Sequence, residues 1–243
     1  MKLLRFRKNG HIYKGVADED SKKVVYNNGD RSESLNDIEI LPPSSPTKIV
    51  AVGLNYKKHA AELSSDPPDE PILFLKPPSA LIPHGGTIVL PELAGRIDLE
   101  AELAMIVSRR SCKVAACDAR DHIEGFTCFN DVTARDLQKR DVQWTRAKSF
   151  DTFAPVGPWI ETETPAMDSP IISRINGQKK QDSLLSDMIF DPFELFQFIS
   201  SIMTLFPGDI IATGTPSGIT PINRGDTVTV EIGGIGNLIN IVA

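Results

Sequence analysis

An uncharged run, Leu103-Ala104-Met105-Ile106-Val107, reads as a buried β-strand, and two glutamates stand directly before it in Asp98-Leu99-Glu100-Ala101-Glu102. Alternate strand residues face the same way, about 6.5–7 Å apart, so Glu100 and Glu102 share one side while Leu99, Ala101 and Leu103 take the other. Like charges this close, aimed inward, repel and are costly to desolvate unless a proton or a cation compensates them. The simplest remedy is a divalent metal. The pair is therefore a candidate catalytic centre, and the fold has to bring the groups that complete it to one side of this strand.

At 243 residues, 41% hydrophobic and 24% charged, the chain is long enough for a sizeable core. A formal net charge of −6, with no Lys/Arg stripe interleaved with aromatics, argues against a nucleic-acid partner. No apolar run approaches the ~20 residues of a membrane span, and Lys2, Arg5 and Arg7 interrupt the N-terminus too early for a signal peptide. Cys112, Cys117 and Cys128 form no CxxC pair, which disfavours a disulfide framework or zinc knuckle and fits a reducing cytoplasm.

Residues 1–45 read as a small N-terminal β domain. Lys2 to Arg7 and His11 to Val16 flank Asn9-Gly10, a type I′ hairpin signal, and a third strand runs from Lys23 to Tyr26. Pro42-Pro43-Ser44-Ser45-Pro46 reads as a linker to a larger body, residues 46–243. Short apolar runs there predict strands at Lys48–Leu54, Ile72–Leu75, Thr87–Leu90, Leu99–Val107, Gly125–Phe129, Ile171–Ile175, Ile210–Ala212 and, as the final β-segment, Thr227–Ile232. Asn176-Gly177 marks a second I′ hairpin. One predicted helix is capped by Asn55 and runs to about Leu63; another covers roughly Thr133–Gln138. The clearest runs from Pro192 to about Leu205, with Asp191 as N-cap, Glu194 completing a capping box, and Phe193, Phe196, Ile199 and Met203 on one face. The fold class is mixed β with a few short helices.

A hard divalent cation takes oxygen ligands, and Asp131, at a strand-to-helix boundary, is the best third beside Glu100 and Glu102. Asp131, Arg135 and Gln138 stand at i, i+4 and i+7, one helical face, where the arginine can neutralise a substrate carboxylate and the glutamine can donate to a carbonyl. On spacing alone this is also an N-cap aspartate followed by exposed polar residues. Lys148, between Trp144 and Phe150, reads either as a cation in a partly dry site, suited to an anion or enolate, or as a surface lysine lying along the tryptophan. His59 and Glu62, at i and i+3, read either as a surface pair or as a general base tuned by a carboxylate. Thr213-Gly214-Thr215-Pro216 offers hydroxyls and N–H groups to an anionic oxygen, and no Gly-Lys-[Ser/Thr] follows to make it a Walker loop. His11, His84 and His122 read as structural or solvent-exposed.

In this order, Val52-Gly53-Leu54-Asn55-Tyr56-Lys57-Lys58-His59, Phe74-Leu75-Lys76-Pro77, Asp98-Leu99-Glu100-Ala101-Glu102-Leu103, Asn130-Asp131-Val132-Thr133-Ala134-Arg135-Asp136-Leu137-Gln138, Ala147-Lys148-Ser149-Phe150-Asp151 and Thr213-Gly214-Thr215-Pro216-Ser217-Gly218 resemble the fumarylacetoacetate hydrolase superfamily. The likeness covers about residues 47 to 243, and the N-terminal unit resembles the small leader domain of many bacterial and archaeal members. The resemblance implies a β-roll-type fold and a homodimer, with Mg²⁺ or Mn²⁺ in the site, a place Ca²⁺ can also occupy. It places Glu100, Glu102 and Asp131 on the metal ligands, Arg135, Gln138 and Lys148 on the substrate and enolate contacts, and Thr215 on a substrate carboxylate. His59 and Glu62 match the dyad that activates water, on a segment that often serves as a lid. A further aspartate ligand of the large hydrolases has no equivalent here, which leaves that position to water.

The expected reaction is metal-dependent hydrolysis of a C–C bond in a small β-diketo acid, an acylpyruvate or fumarylacetoacetate-like substrate, through an enolate. Oxaloacetate decarboxylation or tautomerisation, or isomerisation of 2-hydroxyhepta-2,4-diene-1,7-dioate, would use the metal and enolate contacts of the same site on another small 2-oxo acid without the His59–Glu62 dyad, whose presence favours hydrolysis. A reading of another class is a non-catalytic protein whose carboxylates hold a structural Ca²⁺.

Overall fold

The structure is a computed structural model and describes residues 1–62 and 66–243. Among the described residues a twelve-stranded sheet dominates, with a five-stranded and a three-stranded sheet beside it. At its centre lies the Ala101–Val107 strand, antiparallel to Ile123–Asn130 on one side and to Ile210–Ala212 on the other. Every residue of it is buried. Its alternation divides the core: Leu103, Met105 and Val107 join Phe196 and Ile199, whereas Ala104 and Ile106 join Ile49, Ala51 and Ile210. Each large apolar side chain buried this way contributes about 1.5–3 kcal/mol.

The central strand is shorter than expected. The apolar pattern predicts one strand over Leu99–Val107, but the chain divides at Glu100: Ile97–Leu99 belongs to the three-stranded sheet and Ala101–Val107 to the large one. The ladder is interrupted because side chains take the backbone donors there, Asn130 Oδ1 accepting from the Glu100 N–H and Gln181 Oε1 from the Ala101 N–H.

Both Asn-Gly signals mark the turns expected of them, with positive φ at Asn9 and Gly10 and again at Asn176 and Gly177, as a type I′ turn requires. The N-terminal strands Lys2–Lys8, His11–Asp18, Lys23–Tyr26 and Arg31–Ser34 form a meander around Leu4, Phe6, Val24 and Tyr26. Lys2 and Leu3 pair with Glu161 and Ile160, and Trp159 packs into the same cluster, so the sheet runs on without a gap into the larger body.

Among the described residues the α-helices are α1 (Lys57–Glu62), α2 (Arg135–Arg140), α3 (Thr145–Lys148) and α4 (Pro192–Ile202). Helix α1 starts later than expected, because Asn55 bonds to Phe190 and Thr213 through its carboxamide; Leu63, its expected end, lies outside the described residues. Helix α2 starts two residues late because Thr133 and Ala134 pair with Asp98 and Ile97. Asp131 is therefore not on a helical face with Arg135 and Gln138. Helix α4 has the Asp191–Glu194 capping box, ends at Ile202 rather than Leu205, and buries Leu195 with Phe196 and Ile199.

Two long strands lie outside the predicted elements, Ala154–Glu161 and Gly236–Val242, as do shorter ones such as Arg31–Ser34 and Leu81–Pro83. Pro155, Gly157 and Pro158 disguise the first, and a register shift against Ile123–Asn130 accommodates them. Among the described residues no helix is long and apolar enough to cross a membrane.

Candidate active site

Three buried carboxylates meet where the strands end. Glu100 sits at the break, Glu102 is the second residue of the central strand, and Asp131 follows the neighbouring strand, its N–H donating to the Glu100 carbonyl at 2.9 Å. Register fixes this meeting, since Ala101 lies opposite Asn130 and Glu102 opposite Phe129. One oxygen from each of the three lies within 4.8 Å of the others.

Three buried or nearly buried cations surround them. Lys148 donates to Glu100 at 2.9 Å and also to Asp131. Lys76 donates to Asp131 and to the Val132 carbonyl at 3.2 Å. Arg135 bridges Glu100, Gln138 and Asp98, reaching the last at 2.7 Å. Lys148 Nζ also lies 4.9 Å above the Phe74 ring, which in turn meets Trp144 edge-on.

The compensation is uneven. Burial pushes the Glu100 carboxyl up, but Lys148 and Arg135 together hold it well below the usual carboxylate range. Glu102 goes the other way: burial and the charges of Asp131 and Glu100 push it well above that range, against Lys148 and a bond from the Gly214 N–H. The set thus offers three hard oxygen donors, one of them short of positive charge. This fits a divalent ion of the Mg²⁺ or Mn²⁺ kind.

A cavity of about 310 Å³ opens over the cluster. Of the residues expected in the site, His59, Glu100, Glu102, Asp131, Arg135, Gln138, Lys148 and Thr215 all line it, facing an apolar wall that includes Val52, Phe74 and Trp144. Glu62 reaches it through His59, whose Nδ1 lies 3.2 Å from the Glu62 carboxylate, and Glu62 itself accepts from the Gly218 N–H at 3.2 Å. His59 is thus buried, while Glu62, itself exposed, is held against the Thr213–Gly218 loop. A larger hollow of about 470 Å³ lies beside the N-terminal meander, but its lining of Leu3, Val16, Val25 and Ile160 with scattered polar groups has no comparable charged cluster.

The loop from Thr213 has little freedom. The Thr213 N–H and hydroxyl both donate to the Leu103 carbonyl, and Gly214 adopts a φ of +95° with an imagined Cβ only 2.8 Å from Asn55 Cβ. Glycine therefore lets the backbone approach closely enough to bond Glu102.

Three site residues escaped the sequence reading. Lys76 had a usable signal, a lysine ending the apolar run Ile72–Leu75 before a proline. Asp98 opens the Asp98–Leu103 motif, where its spacing shows no role of its own; it fixes Arg135 and also accepts from Arg96 at 2.7 Å. Gln181, in the polar stretch Gln178-Lys179-Lys180-Gln181-Asp182, gave no signal.

Comparisons with known proteins find relatives of the same fold. A family profile described as Fumarylacetoacetate (FAA) hydrolase C-terminal matches residues 48–243. Oxaloacetate tautomerase FAHD2A, mitochondrial, of Bos taurus is 40% identical over 83% of this chain and 68% of its own length. A crystal structure of 5-carboxymethyl-2-hydroxymuconate delta-isomerase from Mycobacterium smegmatis is 40% identical, covering 100% of this chain and 98% of the other, with a TM-score of 0.93. Fumarylpyruvate hydrolase from Pseudomonas aeruginosa, solved with Mn²⁺ and pyruvate, is 30% identical over 84% of this chain and 91% of its own, with a TM-score of 0.78.

Proposed function

Because the chain belongs to the fumarylacetoacetate hydrolase family, we propose that it is a divalent-metal-dependent enzyme that moves a proton on the enolate of a small 2-oxo acid, with oxaloacetate the first substrate to test. The observation that carries this is one cavity holding both an enolate-stabilising face and a base: Lys148, Arg135 and Gln138 opposite His59 tied to Glu62. The ion, held by Glu100, Glu102 and Asp131, would supply Lewis-acid polarisation of the 2-oxo group.

The chain's own residues supply the rest. Arg135 and Lys148 offer charged donors to the carboxylate and the developing enolate oxygen. With the Nδ1 proton directed at Glu62, the other ring nitrogen of His59 is an acceptor, able to take a proton from the carbon next to the carbonyl and return it to oxygen. The cavity, at about 310 Å³, is of a size for such an acid. Relatives named for tautomerisation and isomerisation, both 40% identical, support proton transfer as the reaction.

A second reading is hydrolysis of an acylpyruvate-like C–C bond. It is favoured by the same His59–Glu62 pair, which can equally activate water, and by the fumarylpyruvate hydrolase among the relatives. The test is a product analysis with oxaloacetate, acylpyruvates, fumarylacetoacetate and hydroxyheptadienedioate, each with Mg²⁺ or Mn²⁺. Metal-dependent loss of the oxaloacetate enol signal without C–C cleavage supports the first reading, and cleavage of an acylpyruvate supports the second. Turnover that is untouched by EDTA sinks both.

A further inference from the structure

The metal cradle and the Thr215 loop come from separate stretches of chain, and one side chain from a third stretch bonds to both. Gln181 lies on the Gln178–Leu184 strand of the five-stranded sheet and is fully buried. Its Oε1 accepts from the Ala101 N–H at 3.0 Å, while Nε2 donates to Thr215 Oγ1 at 2.7 Å and to the Pro216 carbonyl at 2.8 Å. Both amide hydrogens are thereby used.

Each bond has a consequence for the site. The Ala101 N–H stands between the two glutamates, at the point where the strand leaves one sheet for another. An unpaired buried donor there would be costly, so the Gln181 oxygen is what allows the backbone to turn at Glu100 and bring both carboxylates to one cavity. At the other end, Thr215 Oγ1 is an acceptor toward Gln181, which leaves its own proton free to donate into the cavity that Thr215 lines.

We propose that Gln181 is a positioning residue that locks the Glu100–Glu102 cradle to the Thr215 hydroxyl and orients that hydroxyl as a donor to an anionic substrate oxygen. This rests on the metal and 2-oxo acid reading above. Two substitutions separate its two halves. Gln181→Glu keeps an acceptor for the Ala101 N–H and loses the amide donors, whereas Gln181→Met loses all three bonds.

The experiment measures Mn²⁺ affinity by calorimetry on the full chain, oxalate affinity on the Mn²⁺-loaded protein, and melting temperature. Gln181→Glu is expected to leave Mn²⁺ affinity within about threefold, since the Ala101 N–H keeps its acceptor, and to weaken oxalate about tenfold or more. Gln181→Met is expected to weaken both. In a Gln181→Glu/Thr215→Val pair the oxalate losses fall short of additive, because both remove one hydroxyl contact. If Gln181→Met does not fold, Gln181→Glu and the double variant decide the matter. Variants that melt lower but bind Mn²⁺ and oxalate like the parent overturn the proposal alone. A parent that binds neither overturns the functional reading and the proposal with it.

Discussion

Glu102 and Asp209 are buried acids near opposite ends of one pair of adjoining strands, and the protein treats them in opposite ways. Asp209 precedes Ile210–Ala212, and its carbonyl accepts from the Val107 N–H at the far end of the central strand. Its carboxylate takes donors from the Thr47 N–H and hydroxyl, the Lys48 N–H and ammonium, and the Phe206 N–H. Burial pushes that carboxyl up, yet Lys48 and the backbone donors outweigh it and hold it below its ordinary value. Glu102 accepts from the Gly214 N–H, and burial together with the two neighbouring carboxylates pushes it up. An acid completed by the chain is a staple. One left short of positive charge is a place for a ligand.

Glu102→Gln breaks this contrast most sharply. Losing a metal ligand forfeits several kcal/mol of transition-state stabilisation, so turnover should fall on the order of a thousandfold. The melting temperature of the metal-free protein should not fall, since a mutual repulsion goes with the charge. A lower metal-free melting temperature with activity intact would make Glu102 a staple as well.

His59→Ala should reduce turnover about a hundredfold, the usual worth of a positioned base, and leave the Mn²⁺ dissociation constant unchanged in calorimetry. Equal losses in both would mean that the α1 segment shapes the cradle instead of serving the chemistry.

Asp209→Asn inverts the pattern. Denaturant unfolding should show a loss of about 2–3 kcal/mol, from bonds to a charged acceptor, with kcat/KM unaltered.

The smallest effect is in acid. A carboxyl held below 3.8 in the folded state contributes stability that is complete above that value and is lost as pH falls through the folded one. The parent should therefore lose stability more steeply than Asp209→Asn below about pH 4, in parallel denaturant titrations. Parallel curves would mean that the Lys48 pairing adds nothing.

The sequence by itself determined whatever is decided within a few residues. The Asn9-Gly10 and Asn176-Gly177 turns, the Asp191–Glu194 cap and the apolar run Leu103–Val107 are of this kind, because backbone conformation, local bonds and local composition suffice for them. The motif order also disclosed which side chains would line one cavity, though not how they reach it. Tertiary structure alone decided the break at Glu100, the pairing of Lys76 with Asp131, and the reach of Gln181 to Ala101, whose partners stand 30, 55 and 80 residues apart. No local periodicity encodes a hydrogen bond across such distances; it exists only once the sheets have packed.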